Sequence, residues 1–236
     1  MKPLLLFALA GASLACAPTP AAAFPPYRSA DGTPATPYEL GVRLGLGRVQ
    51  WDGGNSDVAA PLLRTSLGLP DGFEVIAQVE YAPRSDRIGD AALGGKWAAR
   101  ASETLSVGFE TFALLPVRPK AGGVGVESLL AATVQRDPYR LHLNAGGFYD
   151  PRAGPAHSGW RASALAEVVP RPGRRIGFEL FAKDSDRAPA DVRAGVGLIY
   201  DLGAFDVRTA VHVGVSRAAP DVVTSLWVTT ALPLDR

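Results

Sequence analysis

Phe73-Glu74-Val75-Ile76-Ala77-Gln78-Val79-Glu80-Tyr81 places Phe73, Val75, Ala77, Val79 and Tyr81 on one face of an extended chain and Glu74, Gln78 and Glu80 on the other. One face suits lipid, the other water. The same period-two pattern recurs on both sides of this stretch in runs of roughly eleven residues, which is long for a globular strand but matched to a tilted crossing of a bilayer. Runs and breakers together predict strands near 38–51, 58–69, 72–82, 90–101, 103–115, 124–135, 138–149, 158–169, 174–183, 191–201, 204–216 and 221–232. The expected fold is all-β, an antiparallel up-and-down transmembrane β-barrel of about twelve strands.

The interruptions carry the second half of that reading. Connections after the even strands are short (Pro70-Asp71-Gly72, Ser102-Glu103, Arg136-Asp137-Pro138, Arg171-Pro172-Gly173, Leu202-Gly203), as periplasmic turns are. Those after the odd strands are longer and rich in Gly, Pro and charge, as in 52–57, 118–123 and 150–157, as external loops are. Aromatic residues gather at the strand ends on the apolar face: Tyr38, Phe73, Trp97, Tyr200 and Phe205 toward the turns, Trp51, Tyr81, Tyr149 and Trp160 toward the loops. Two such rings form the interfacial girdles of a barrel. A soluble β-sandwich also alternates wet and dry faces, but it requires neither the long runs nor the paired rings.

Composition alone describes an ordinary chain, with 236 residues, 47% hydrophobic, and 24 basic against 23 acidic side chains. The cations are scattered rather than gathered into a stripe, which excludes a nucleic-acid partner. The single cysteine, Cys16, lies in the first segment, so the remainder has no disulfide or thiol chemistry. Residues 1–23 read as a signal peptide: Lys2, an apolar core from Leu4 to Leu14, and Ala21-Ala22-Ala23 as cleavage site. Ser13-Leu14-Ala15-Cys16 is close to a lipobox, which would make Cys16 a lipid anchor instead. Residues 24–37 contain four prolines and no periodicity, and read as an irregular lead-in that either hangs in the periplasm or folds into the lumen. Residues 38–236 are the barrel.

On the lipid face, the pattern puts Leu105, Val107, Phe109, Leu141, Leu143, Ile176, Phe178, Leu180, Val192, Val196, Leu198, Val207, Val211 and Val213. Facing inward are Lys96, Glu110, Glu127, Arg140, His142, Asn144, Glu179, Arg193, Arg208 and His212, with Arg100, Arg161, Glu167, Lys183 and Asp206. These lumen-lining charges either cross-link the interior, with Glu110, Glu127 and Glu179 pairing to Lys96, Arg140 and Arg193, or line a wet path. Toward the loops on the inward face stand Phe112, Phe148 and Phe181, which either pack under folded loops or form an apolar collar for flat hydrophobic solutes. His142 and Asn144 with Ser163 and Glu167 raise a hydrolase reading, but there is no nucleophile elbow and a polar lumen contains such residues in any case. His142, His157 and His212 fall on separate elements without ligand spacing, so no metal, cofactor or catalytic residue is expected.

Gly89-Asp90-Ala91-Ala92-Leu93-Gly94-Gly95-Lys96-Trp97 resembles a Gly-Asp-x-x-Leu-Gly-x-Lys-Tyr segment of the outer-membrane transporter family named for a meta-cleavage pathway of phenol degradation. Leu67 to Val75 resembles the turn that precedes it there, and Val213-Gly214-Val215-Ser216-Arg217 with Pro220-Asp221 is similar to the family's closing hairpin. The resemblance implies an outer-membrane barrel that passes small, aromatic or hydrophobic solutes, without catalytic residues. Outer-membrane lipid, lipopolysaccharide and the barrel-assembly machinery would be its partners. Barrels of this class commonly end in an aromatic residue, whereas this chain ends Ala231-Leu232-Pro233-Leu234-Asp235-Arg236, so that either Trp227 or Leu232 stands in or insertion proceeds differently. The competing readings are a closed structural or surface barrel and a periplasmic β-protein.

Overall fold

The computed structural model describes residues 27–51, 56–82, 87–117, 122–152 and 155–234; the expected signal peptide and Cys16 lie outside them. Twelve strands follow one another in the chain: β1 (Glu39–Gln50), β2 (Ser56–Gly68), β3 (Phe73–Ala82), β4 (Arg87–Arg100), β5 (Leu105–Leu114), β6 (Gly125–Arg136), β7 (Tyr139–Asp150), β8 (His157–Arg171), β9 (Arg174–Ser185), β10 (Ala188–Asp201), β11 (Asp206–Gly214) and β12 (Val222–Pro233). Each pairs antiparallel with its sequence neighbours, and β1 pairs with β12 from Glu39↔Pro233 to Gln50↔Val222, which closes the barrel. Closure removes every sheet edge, so the backbone is satisfied without solvent.

Hairpin chemistry sets the two ends. At the turn end, Pro70–Gly72 winds into one 3-10 turn with Asp71 and Gly72 at positive φ, and Gly173 (φ 75°) closes the β8–β9 turn. The loop end carries the longer connections after β1, β5, β7 and β11, whereas β9 and β10 extend until only Asp186 and Arg187 separate them. The acidic run Asp184-Ser185-Asp186 thus ends in a tight turn rather than an open loop. Leu234 N–H donates to Tyr38 C=O (2.8 Å), so both ends of the barrel chain meet at the turn end.

The outward face is apolar, with Leu130 65%, Phe178 57% and Leu180 54% exposed. All the outward positions expected on β5, β7, β9, β10 and β11 point that way, and Phe73, Trp97, Tyr200 and Phe205 stand at one rim with Trp51, Tyr149 and Trp160 at the other. Tyr139, also exposed near the turn end, adds to the first ring. Outward Arg174 lies near a strand end, its guanidinium 4.9 Å from the Tyr200 ring centroid and bonded to the phenol oxygen at 2.9 Å. The inward face holds the buried polar residues, interrupted by Ile76, Leu129, Leu165 and Ile199.

Candidate functional site: a segment held inside the lumen

Of the two positions open to the lead-in, the structure takes the inner one. Residues 27–36 enter at the turn end and climb the wall formed by β5 to β10. Thr36 and Ala35 lie against Gly68, and Thr33 and Pro34 line a cavity of about 360 Å³ at the turn-end mouth with Arg100, Ser106 and Gln135. Gly32 sits so close to the wall that a Cβ there would come 3.1 Å from Ser106 O and 3.2 Å from Ala131 O and Thr133 N. Any other residue there would need the wall to give by a few tenths of an ångström, and glycine spares it that shift.

Above it, side chains from successive strands satisfy the segment's backbone. Gly32 N–H donates to Thr133 Oγ1 (2.9 Å). Ala30 N–H donates to Asn144 Oδ1 while Asn144 Nδ2 donates back to Ala30 C=O (3.1 Å), a side-chain amide acting as a strand neighbour. Glu179 receives three bonds from the segment: Arg28 N–H (2.9 Å), Ser29 N–H (2.6 Å) and Ser29 Oγ (2.7 Å); His212 Nε2 is 2.7 Å from the same carboxylate. Ser29 Oγ also lies 2.9 Å from Ser163 Oγ. A buried amide without such a partner would cost about 1–3 kcal/mol, so the docking is as much a matter of satisfying polar groups as of packing.

Tyr27 ends the described segment in an apolar seat with Leu165, Ile199 and Ala210. The seat exists because β9 and β10 present Gly177 and Gly197, where a Cβ would fall 2.3 Å and 2.8 Å from the Tyr27 side chain. Asp31 is fixed by Thr33 N–H (2.8 Å), Thr133 Oγ1 (3.1 Å) and His142 Nδ1 (3.9 Å). Burial opposes its ionisation, but Lys96, His142 and the Thr33 bonds outweigh that and hold the carboxyl below its usual range.

The expected inward residues are in the lumen, with different partners from those expected of them. Glu110 pairs with Arg64 (3.5 Å) rather than Lys96, Lys96 with Glu74 (3.6 Å), Glu127 with Arg161, Arg193 with Asp191, Arg208 with Asp206 (2.5 Å), and Glu179 with His212. Arg140 lies across from Glu167, which also bonds Arg175 (3.3 Å) and His142 (3.4 Å). The hydrolase constellation is not assembled, since His142 meets Thr133 (2.9 Å) and Glu167 while Ser163 meets Ser29. Phe112, Phe148 and Phe181 face inward and are buried, each with its own cation: Arg64 at 5.5 Å, Lys183 at 4.2 Å, and Arg28 and Arg193 both at 5.9 Å. Sequence reasoning passed over Thr133, which joins Gly32, Asp31 and His142, because a threonine in a strand carries no distinguishing signal.

The opposite wall, β1 to β3 with β12, leaves a cavity of about 210 Å³ bounded by Tyr27 and Arg28 on one side and by Leu62, Arg64, Ser225 and Trp227 on the other. The lead-in therefore fills one half of the lumen.

No family model and no curated protein matches this chain. Solved structures do. The COG4313 outer membrane channel from Pseudomonas putida F1 superposes with a TM-score of 0.64 at 11% identity, over 84% of this chain and 97% of that one. NanC porin gives 0.62 at 9% identity, over 83% and 100%, and KdgM porin 0.57 at 14%, over 84% and 99%. What these likenesses share with this chain is the closed, porin-like barrel.

Proposed function

We propose that this protein is an outer-membrane channel that passes small solutes passively and without a cofactor, and that residues 27–36 are its resident plug. The observation that carries the reading is the half-filled lumen: a segment bonded to β6, β7, β8 and β9 within a closed barrel, beside an unfilled wall. An apolar exterior ringed by aromatics supports placement in lipid. The porin-like neighbours support a channel, and the resemblance to the phenol-degradation transporter family supports aromatic or hydrophobic solutes. Leu232 faces outward, whereas Trp227 lies inward over Gly45, which favours Leu232 over Trp227 as the residue that the barrel-assembly machinery would recognise. Phe181 lies under Arg28 of the plug, so release of the plug would bare at least that member of the Phe112, Phe148 and Phe181 collar.

The dense bonding of the segment's backbone in the filled half favours a second reading, a closed structural barrel. Single-channel recording in planar bilayers, on the full chain and on a chain lacking residues 24–37, separates them. Current that appears or rises on deletion is expected for a plugged channel. Silence in both, from barrels that remain heat-modifiable, would favour the closed barrel.

A further inference from the structure

The docked segment carries two charged side chains, Arg28 and Asp31, and they are used differently. Asp31 is turned into the wall, onto Thr133 and His142. Arg28 is exposed and borders the cavity of about 210 Å³ that the segment leaves open. Its backbone sets that position, because Arg28 N–H donates to Glu179 (2.9 Å) and Arg28 C=O accepts from Arg161 Nη2 (3.1 Å). The guanidinium, 5.9 Å from the Phe181 ring centroid, makes no hydrogen bond in the docking among the described residues.

The charges around Arg28 are unevenly matched. Arg161 is paired with Glu127, Arg193 with both oxygens of Asp191, and Arg64 across the cavity with Glu110. Glu179 and Asp191 attract Arg28 from beyond ion-pair distance, and Arg161 and Arg193 repel it. Glu179 already serves the segment's N–H groups, Ser29 Oγ and His212. Lys183 stands directly across from Arg161, like charge beside like, with its ammonium 4.2 Å from the Phe148 ring centroid. Neither Arg28 nor Lys183 has a carboxylate within ion-pair distance among the described residues. The inward charges that border the cavity are Arg28, Arg64 and Glu80, and Glu80 has an interaction of its own. The balance beside the segment is therefore positive, and Arg28 is the member that reaches the open half.

We propose that the segment is the selectivity element of the path as well as its plug: Arg28, carried on the docked backbone, makes the half-lumen beside it pass small anions in preference to cations. In a narrow passage with low-dielectric walls a fixed charge biases which ions enter, and arginine or lysine favours anions. Small acids are then the solute class that the docked state admits, and amines the class it rejects. The inference rests on the reading of this barrel as a plugged channel.

Reversal potentials in planar bilayers under a potassium chloride gradient provide the test. Chloride should permeate the full chain more readily than potassium. Arg28→Gln should reduce that preference at least about threefold, the order expected of one unit charge at contact range in water, and Arg28→Lys should retain most of it. Removal of residues 24–37 should reduce it as well, although conductance rises. Because Arg28 docks through its backbone, hydrogen exchange of residues 29–32 should be unchanged in Arg28→Gln; faster exchange would make the side chain a docking group and overturn the assignment. A parent that does not prefer chloride, a preference that survives Arg28→Gln or the deletion, or current only after deletion would each overturn the inference and leave the channel standing. Silence in every chain would overturn both.

Discussion

Glu179→Gln should release the plug. Glu179 is 3% exposed and accepts Arg28 N–H, Ser29 N–H and Ser29 Oγ, so half of its carboxylate serves each of two consecutive residues of the segment. Glutamine keeps one carbonyl oxygen. If that oxygen faces Ser29, its NH2 meets Arg28 N–H, donor against donor, and an orphaned buried amide costs about 1–3 kcal/mol. The two Ser29 bonds fall from charge-assisted to neutral, a loss of about 0.5–1 kcal/mol apiece. The sum is about 3 kcal/mol, and with tenfold per 1.4 kcal/mol the undocked population should rise about a hundredfold. The reporter is Ala30→Cys, at a position 2% exposed, in a Cys16→Ser background, labelled with a membrane-impermeant maleimide. Labelling that tracks the undocked population should accelerate by about that hundredfold factor in Glu179→Gln. Rates within threefold of each other, from equally folded barrels, would refute the claim that Glu179 anchors the segment.

Gly32→Val should dislodge the same segment by sterics, since three backbone atoms stand within 3.2 Å of its Cβ position, and should raise bilayer current as deletion of residues 24–37 does; unchanged Ala30→Cys protection would count against it. Acid should loosen the plug through Asp31: its pKa is depressed on docking, so the stabilisation is complete above the free carboxylate value of about 4 and is lost as pH falls through the lower docked value. Hydrogen exchange of the 27–36 backbone, corrected for intrinsic rates, should therefore increase only at the acid end, and Asp31→Asn should remove that dependence; with Lys96, His142 and Glu167 around it, loosening above pH 5 would implicate another group. Leu130→Arg, at the middle of the outward face of β6, should cost about 2–4 kcal/mol of stability to urea in lipid bilayers, whereas a soluble sandwich would be indifferent to it. Gly47→Phe should be tolerated, because its Cβ would meet only Leu62 at 3.5 Å and Thr224 at 3.7 Å, and should reduce whatever current passes with the plug in place; Gly45→Val, driven into Trp227, should instead lower the unfolding midpoint.

The barrel was legible because alternation is a backbone property. A strand spanning a thin apolar layer must repeat at period two, and Phe73 to Tyr81 does so whatever its neighbours are. Strand ends were read to within a few residues, and the largest departures come where strands outrun their polar ends, as at Asp184-Ser185, which remain paired in β9. The partners of the inward charges were not legible. Lys96 stands between two cross-strand neighbours, Glu74 on β3 and Glu110 on β5, and pairs with the first, while Glu110 reaches Arg64 on β2; which flanking group a charge takes is decided across several strands and not by spacing along one of them. The lead-in was undecidable for a related reason: nothing in Tyr27-Arg28-Ser29-Ala30-Asp31-Gly32 specifies an enclosed path, because the acceptors that enclose it are dispersed over residues 133 to 179.

Those dispersed acceptors nonetheless divide the lumen. Twelve strands enclose more space than side chains alone can fill, since about eight is the limit for a side-chain-packed interior. On β6 to β9 the inward residues are large or polar enough to reach a central chain: Leu129, Thr133, His142, Asn144, Leu165 and Glu179, all of them bonded to or packed on the segment directly or through a single neighbour. On β1, β2 and β12, beyond Leu62 and Trp227 toward the loops, they shrink to Gly47, Ala59 and Ser225, against which nothing from the segment packs beyond Tyr27 and Arg28 at the cavity rim. A barrel selected only for closure would have no use for that asymmetry, because bulky residues on the second wall would close it more simply and more stably. Small residues kept along one wall of a lumen whose other half is filled are a cost to packing, and such a cost is intelligible where the space is reserved for something that enters and leaves.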